Sequence, residues 1–177
     1  MGLDFSHNYF ELFGLTPHYE IDSAALLSTF RHLQNQVHPD KFAHLSEAEK
    51  RVSMQWSTRV NEAYQTLKSP LNRAVYLLQL QGIDALAQTN THLPMAFLMQ
   101  QIEWREAIQD AQQARDIAAL QSVEADVAGY SKQWHEQLLA QIDQQQNWLA
   151  ATNTVRQLKF VTKIMSEIDD VYTVLEA

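Results

Sequence analysis

The sequence predicts an all-α protein, with an N-terminal helical hairpin followed by a C-terminal three-helix bundle. Apolar residues recur at steps of three and four along most of the chain, which is the period of an amphipathic helix. Ala, Leu and Gln are abundant and favour helices, whereas the 177 residues include only four glycines and four prolines. No segment shows the apolar–polar alternation that is typical of a strand.

Composition and charge exclude several classes of protein. A hydrophobic content of 46% is enough to form a core, so the chain is not disordered by composition. The net charge of -8 argues against binding to nucleic acid, and no apolar run approaches the roughly 20 residues that span a bilayer. Because cysteine is absent, disulfides, thiolate catalysis and cysteine-ligated zinc or iron–sulfur clusters are excluded.

The first half of the chain contains four predicted helices. An apolar cluster over residues 9–15 predicts a short first helix. Asp22 is the expected N-cap of the second helix, Ser46 and Glu49 form a capping box for the third, and a fourth covers 71–80. The residues predicted to face inward are Leu26, Phe30, Leu33 and Val37 in the second helix, and Val52, Trp56, Val60, Ala63, Tyr64 and Leu67 in the third.

Three longer amphipathic segments follow the polar stretch 83–93, which is the best candidate for a domain boundary. Their apolar positions are Leu98, Met99 and Ile102, then Ile117, Leu120, Val123, Val127, Tyr130, Trp134, Leu138 and Ile142, and finally Trp148, Val155, Leu158, Met165, Ile168, Tyr172 and Leu175. Short connections between such segments predict a three-helix bundle. We therefore expect a hairpin domain over 1–75, a connecting helix and linker over 76–93, and the bundle over 94–177.

The tripeptide His38-Pro39-Asp40 separates the second predicted helix from the third. Proline fixes its own φ and moves the preceding residue out of the α region, so the second helix must end there. The bend leaves an imidazole and a carboxylate free to reach a partner.

The flanks of this tripeptide resemble a J-domain. The segments that carry the resemblance are Asn8–Leu15, Phe30–Leu33, Val37–Lys41 and Val60–Leu67. The resemblance implies stimulation of ATP hydrolysis by a DnaK-type chaperone, with Asp40 accepting a charge-assisted hydrogen bond from a partner arginine. It also implies that His38 shapes and contacts the loop and that Pro39 fixes the bend. The implied chaperone-binding residues are His38, Pro39, Asp40, Arg31, His32 and Lys41.

The second predicted helix departs from the J-domain pattern because it is weakly basic. Between Asp22 and Val37 only Arg31 carries a fixed positive charge. Residues 1–70 contain six Lys and Arg against eight Asp and Glu, which gives a net charge of 6 - 8 = -2. Electrostatic steering toward an acidic partner should therefore be weak, which suggests a specialised chaperone.

The second half resembles the HscB family of iron–sulfur assembly co-chaperones. The resemblance rests on Pro70–Leu78, Ala96–Glu106 and Thr154–Phe160, and it covers nearly the whole chain. It implies a partner chaperone of the HscA type and a bundle that binds the IscU cluster scaffold. The implied scaffold-binding residues are Leu98, Met99, Ile102, Glu103, Glu106, Asp110 and Phe160.

Some alternatives remain open. Periodicity alone assigns Leu98, Met99 and Ile102 to the bundle core, whereas the resemblance assigns them to the surface. A general J-domain co-chaperone for unfolded clients and a plain helical adaptor are the rival functions. We expect no metal, cofactor or catalytic residue, because no histidine pair has metal-ligand spacing and no catalytic motif occurs. The lack of a targeting sequence predicts a cytoplasmic, bacterial protein.

Overall fold

The computed structural model describes residues 4–37, 46–87 and 93–176, and all regular structure in these ranges is helical. The α-helices are α1 (Tyr9–Leu12), α2 (Ser23–Val37), α3 (Glu47–Lys68), α4 (Pro70–Leu80), α5 (Met95–Ala114), α6 (Ile117–Leu139) and α7 (Trp148–Glu176). A π-helical turn, Ala140–Gln144, follows α6 directly. Two compact units divide the chain, Met1–Leu77 and Leu78–Ala177, so the division falls within α4. The all-α prediction is confirmed.

Local capping sets the starts of the helices in the first unit. As predicted, Asp22 caps α2, because its Oδ1 accepts hydrogen bonds from the backbone N–H groups two and three residues further on, at 2.8 and 3.0 Å. The predicted capping box of Ser46 and Glu49 is also present at the start of α3. A second capping box, which the sequence analysis did not identify, joins Asn8 and Glu11 at α1. Each box satisfies backbone donors that a helix N-terminus leaves free.

Helices α2 and α3 pack against each other as the predicted hairpin requires. The rings of Phe30 and Tyr64 stack with centroids 3.9 Å apart. The prediction was wrong for Val52, whose side chain is 47% exposed. The buried stripe of α3 instead begins one residue later at Ser53, whose hydroxyl donates to the carbonyl oxygen of Val37 at 2.9 Å. A polar residue thus occupies the inward position, where its hydroxyl donates to a carbonyl of the last turn of α2.

The second unit is a bundle in which α5 and α7 run parallel and α6 runs antiparallel to both. Contacts between α5 and α7 follow the same order along both helices, namely Phe97 with Phe160, Arg105 with Glu167, and Arg115 with Leu175. Contacts between α5 and α6 follow opposite orders, namely Gln100 with Tyr130 and Trp104 with Asp126. This arrangement places one long seam between α5 and α7.

Two features of the second unit were not predicted. The segment expected to run helically from 117 to 142 changes from α-helix to a π-helical turn at Ala140. The segment that follows α4 is tied to α7, because Arg156 Nε donates to the carbonyl oxygen of Ala85 at 2.8 Å. The Arg156 side chain is buried there, one helical turn before Phe160.

Candidate partner-binding surfaces

Helix α5 carries one apolar stripe on each of two opposite faces. The residues that face the core are Phe97, Gln101, Trp104, Ile108 and Ala111. The opposite face carries Met95, Met99 and Ile102, which are 73%, 53% and 51% exposed, and Leu98 at its edge is 38% exposed. Assignment of Leu98, Met99 and Ile102 to the core from periodicity is therefore wrong. The stripe that contains the rings of Phe97 and Trp104 fills the bundle interior, so the stripe on the opposite face is left to solvent.

Phe160 extends the exposed apolar surface from α5 onto α7. Its ring is 37% exposed and meets the ring of buried Phe97 edge-on, with centroids 6.3 Å apart. Two helical turns further along the same seam, Arg105 Nε pairs with Glu167 Oε2 at 3.4 Å. Leu98 and Phe160 each precede a member of that pair by seven residues, so both lie on this side of the seam. We call Met95, Leu98, Met99, Ile102 and Phe160 the apolar strip.

A cluster of aromatic rings supports the apolar strip from below. Phe97 packs edge-on against Trp134 at 5.1 Å, and Trp104 packs edge-on against Tyr130, also at 5.1 Å. Trp104 Nε1 also donates to Asp126 Oδ2 at 2.7 Å, which fixes the indole between α5 and α6. Edge-to-face pairs of this kind stabilise a core beyond the burial of their area. These contacts fix the inner face of α5 and thereby hold the exposed residues of the same helix in place.

Carboxylates border the apolar strip on the side of α5 that lies away from α7. Glu103, Glu106 and Asp110 are all exposed, and none has an ion-pair partner within the described ranges. At 100° per residue they lie beyond Ile102 as seen from the seam with α7. The predicted scaffold-binding residues are thus brought together on one surface, with an apolar centre and an acidic border.

The implied chaperone-binding residues are only partly described by the structure. Arg31 and His32 lie on α2 with exposed side chains, and His32 Nε2 lies 2.9 Å from Gln36 Nε2. His38, Pro39, Asp40 and Lys41 lie outside the described residues, so their predicted roles stay predictions. Arg31 is the one fixed cation among the residues of α2, as the sequence indicates.

Burial and one hydrogen bond raise the pKa of a tyrosine where α6 and α7 meet. Partial burial, together with donation from Tyr172 Oη to Glu124 Oε2 at 2.8 Å, raises the pKa of Tyr172 to about 12. The phenol therefore stays protonated and joins the two helices at neutral pH.

Two kinds of feature are absent from residues 4–37, 46–87 and 93–176. No group of three or more His, Asp or Glu side chains there is arranged to hold a metal ion. None of the helices described is both long and apolar enough to cross a bilayer.

Comparison with known proteins decides the family. The model of the HSCB C-terminal oligomerisation domain matches residues 93–169. A co-chaperone protein HscB homolog from Azoarcus sp. is 44% identical over 176 residues, which cover 99% of both chains. The chain belongs to the HscB family. A second HscB homolog, from Ralstonia nicotianae, is 48% identical over 159 residues and 90% of each chain.

Solved HscB structures agree with the fold. The chaperone HscB from Vibrio cholerae is 42% identical, covers 96% of this chain and 99% of its own, and has a TM-score of 0.86. Human co-chaperone HscB is 30% identical, covers 96% of this chain and 84% of its own, and has a TM-score of 0.88. The predicted architecture of a J-domain followed by a helical domain is confirmed, as is the role of a co-chaperone in iron–sulfur cluster biogenesis.

Proposed function

We propose that this HscB-family protein links an HscA/DnaK-type ATPase chaperone to an IscU-type scaffold. Its J-domain stimulates ATP hydrolysis by the chaperone, and its bundle holds the scaffold and delivers it. The protein has no catalytic residues of its own and works in the bacterial cytoplasm. The observation that carries the proposal is the apolar strip, whose side chains on α5 and α7 are 37–73% exposed.

The apolar strip has the composition of a protein-binding surface. Large apolar side chains on successive turns of one helix are costly to leave in water, and contiguous exposed patches mark interaction sites. The acidic border provides the polar rim that typically surrounds the apolar centre of an interface. The two aromatic pairs beneath it hold the surface in place before the scaffold arrives, which lowers the entropic cost of binding.

The chaperone side of the proposal rests on the tripeptide and on α2. A charge-assisted hydrogen bond from a chaperone arginine to Asp40 is directional and strong. Arg31 and His32 are exposed on α2 and are available to the same partner. Since residues 1–70 carry a net charge of -2, long-range attraction contributes little, which favours a dedicated chaperone over a general one.

Joining the two activities in one chain has a physical advantage. Binding of both partners at once raises the effective concentration of the scaffold at the chaperone without any new contact. Because the protein contains no cysteine, it cannot itself ligate the cluster through thiolates.

The test is ATP turnover by an HscA-type and by a DnaK-type chaperone, each with and without the protein and the scaffold. We expect the protein to stimulate the HscA-type chaperone and the scaffold to increase this stimulation further. Asp40→Ala should abolish the stimulation while leaving the far-UV circular dichroism spectrum and scaffold binding intact. Equal stimulation of both chaperones, broad binding of denatured proteins and no response to the scaffold would instead support the general co-chaperone.

A further inference from the structure

Two lysines flank Phe160 on α7. Lys159 precedes it by one residue and Lys163 follows it by three, and both side chains are exposed. Neither has a hydrogen-bond or ion-pair partner among residues 4–37, 46–87 and 93–176. Their positive charges are therefore available to a partner.

The helix geometry places these lysines on the outer side of the apolar strip. At 100° per residue, Lys163 lies about 60° and Lys159 about 100° around α7 from Phe160, in the same direction. In the other direction lie Val161 and Ile164, which are 1% and 0% exposed and belong to the core. The lysines therefore lie on the solvent side of Phe160, whereas the carboxylates of α5 border the strip on its other side.

The positive charge at this border is unusual for the second unit. Residues 78–177 contain six Lys and Arg against thirteen Asp and Glu, a net charge of 6 - 13 = -7. All three arginines among these residues already have partners, since Arg105 pairs with Glu167, Arg115 donates to the Leu175 carbonyl, and Arg156 donates to the Ala85 carbonyl. Two of the three remaining cations are thus Lys159 and Lys163, and the third is Lys132 on α6.

We propose that Lys159 and Lys163 form a basic border of the scaffold-binding surface that contacts acidic side chains of the scaffold. This inference rests on the proposed function and adds a chemical requirement for the partner. The scaffold must present an apolar patch with acidic groups on one side and basic groups on the other, complementary to the two borders. Apolar contact alone is non-directional, whereas charges of opposite sign on either side of the strip fix one orientation.

The test is a titration of the IscU-type scaffold into wild-type protein and into the variant Lys159→Glu/Lys163→Glu. Because border charges act mainly on association, we expect the affinity to fall roughly tenfold at low salt. The difference should shrink to about twofold at 0.5 M salt, where charges separated by more than a few ångströms are screened. The far-UV circular dichroism spectrum should not change, since both lysines are exposed.

Lys132→Glu is the matched control, because it makes the same change in charge per substituted lysine, at an exposed position on α6. It should bind the scaffold as the wild type does. Wild-type affinity in the double lysine variant would overturn the basic border, and so would an equal loss per charge in the control, which would reveal an effect of net charge alone.

A third variant, Leu98→Ala/Phe160→Ala, separates this inference from the function on which it rests. Weaker binding in that variant combined with wild-type binding in the lysine variant would remove the basic border and keep the proposed function. Wild-type binding in the Leu98→Ala/Phe160→Ala variant would overturn the proposed use of the apolar strip itself.

Discussion

Two isoleucines on α5 allow binding to be separated from stability. Ile102 is 51% exposed on the outward face, whereas Ile108, six residues later, is 6% exposed on the face toward the core. Replacement by alanine removes the same three carbon atoms at both positions. Any difference between the variants therefore comes from the environment and not from the chemistry of the change.

The expected magnitudes follow from burial. At about 0.8 kcal/mol per buried methylene, the three carbons contribute about 2.4 kcal/mol when fully buried. Ile108→Ala also leaves a cavity, so the free energy of unfolding should fall by about 2–5 kcal/mol. Half of Ile102 is already in water, so Ile102→Ala should cost about 1.2 kcal/mol of stability. Burial of the other half by the scaffold would contribute a similar amount, so affinity should fall roughly five- to tenfold.

The assays are titration calorimetry with the IscU-type scaffold and thermal unfolding followed by circular dichroism. We expect Ile102→Ala to weaken binding with a small drop in melting temperature. Ile108→Ala should lower the melting temperature clearly, and its folded form should bind the scaffold much as the wild type does. If Ile102→Ala destabilised the protein as much as Ile108→Ala, the outward stripe would be part of the core. If it left affinity unchanged, the scaffold would bind elsewhere.

Two further predictions concern hydrogen bonds that hold the helices. Ser46→Ala should lower the free energy of unfolding by about 0.5–2 kcal/mol, because α3 loses its cap, whereas Thr58→Ala in the middle of that helix should have little effect. Hydrogen bonds from Ser46 lower the pKa of Glu49, so in urea titrations the effect of Ser46→Ala should be present near neutral pH and shrink as the pH falls through the acidic range in which this carboxyl is protonated. Tyr172→Phe removes the hydrogen bond to Glu124. Because the pKa of Tyr172 is raised in the folded state, this tyrosine's contribution to the free energy of unfolding is complete below about pH 10 and declines as the pH rises toward 12. Urea unfolding of wild type and variant across that range should show the difference narrowing, and a constant difference would contradict the reasoning.

The helix starts were predictable because capping is local. Asp22 caps α2, and Ser46 and Glu49 cap α3, through hydrogen bonds that reach no more than three residues along the chain. The local sequence is therefore enough to recognise both caps. The error at Val52, in contrast, arose because the orientation of α3 depends on a contact with another helix. Which of two neighbouring residues faces inward depends on the Val37 carbonyl of another helix, which selects Ser53 through a hydrogen bond.

The outward face of α5 could not be derived from spacing. Leu98, Met99 and Ile102 have the same helical period as Phe97, Trp104 and Ile108, and only the packing of α6 and α7 decides which set is buried. The resemblance to a family, in contrast, predicted that Leu98, Met99 and Ile102 lie on the surface. The tie between Arg156 and Ala85 was equally beyond local patterns, since the two residues are 71 positions apart.

The link between chaperone and scaffold is tested most directly by ATP turnover with the Leu98→Ala/Phe160→Ala variant. The quantity to compare is the ratio of turnover with the IscU-type scaffold to turnover without it, at a fixed concentration of the HscA-type chaperone and of the co-chaperone. With wild-type protein this ratio should exceed one clearly, and with the variant it should fall toward the value measured when the co-chaperone is omitted. An unchanged ratio in the variant would show that the apolar strip does not deliver the scaffold.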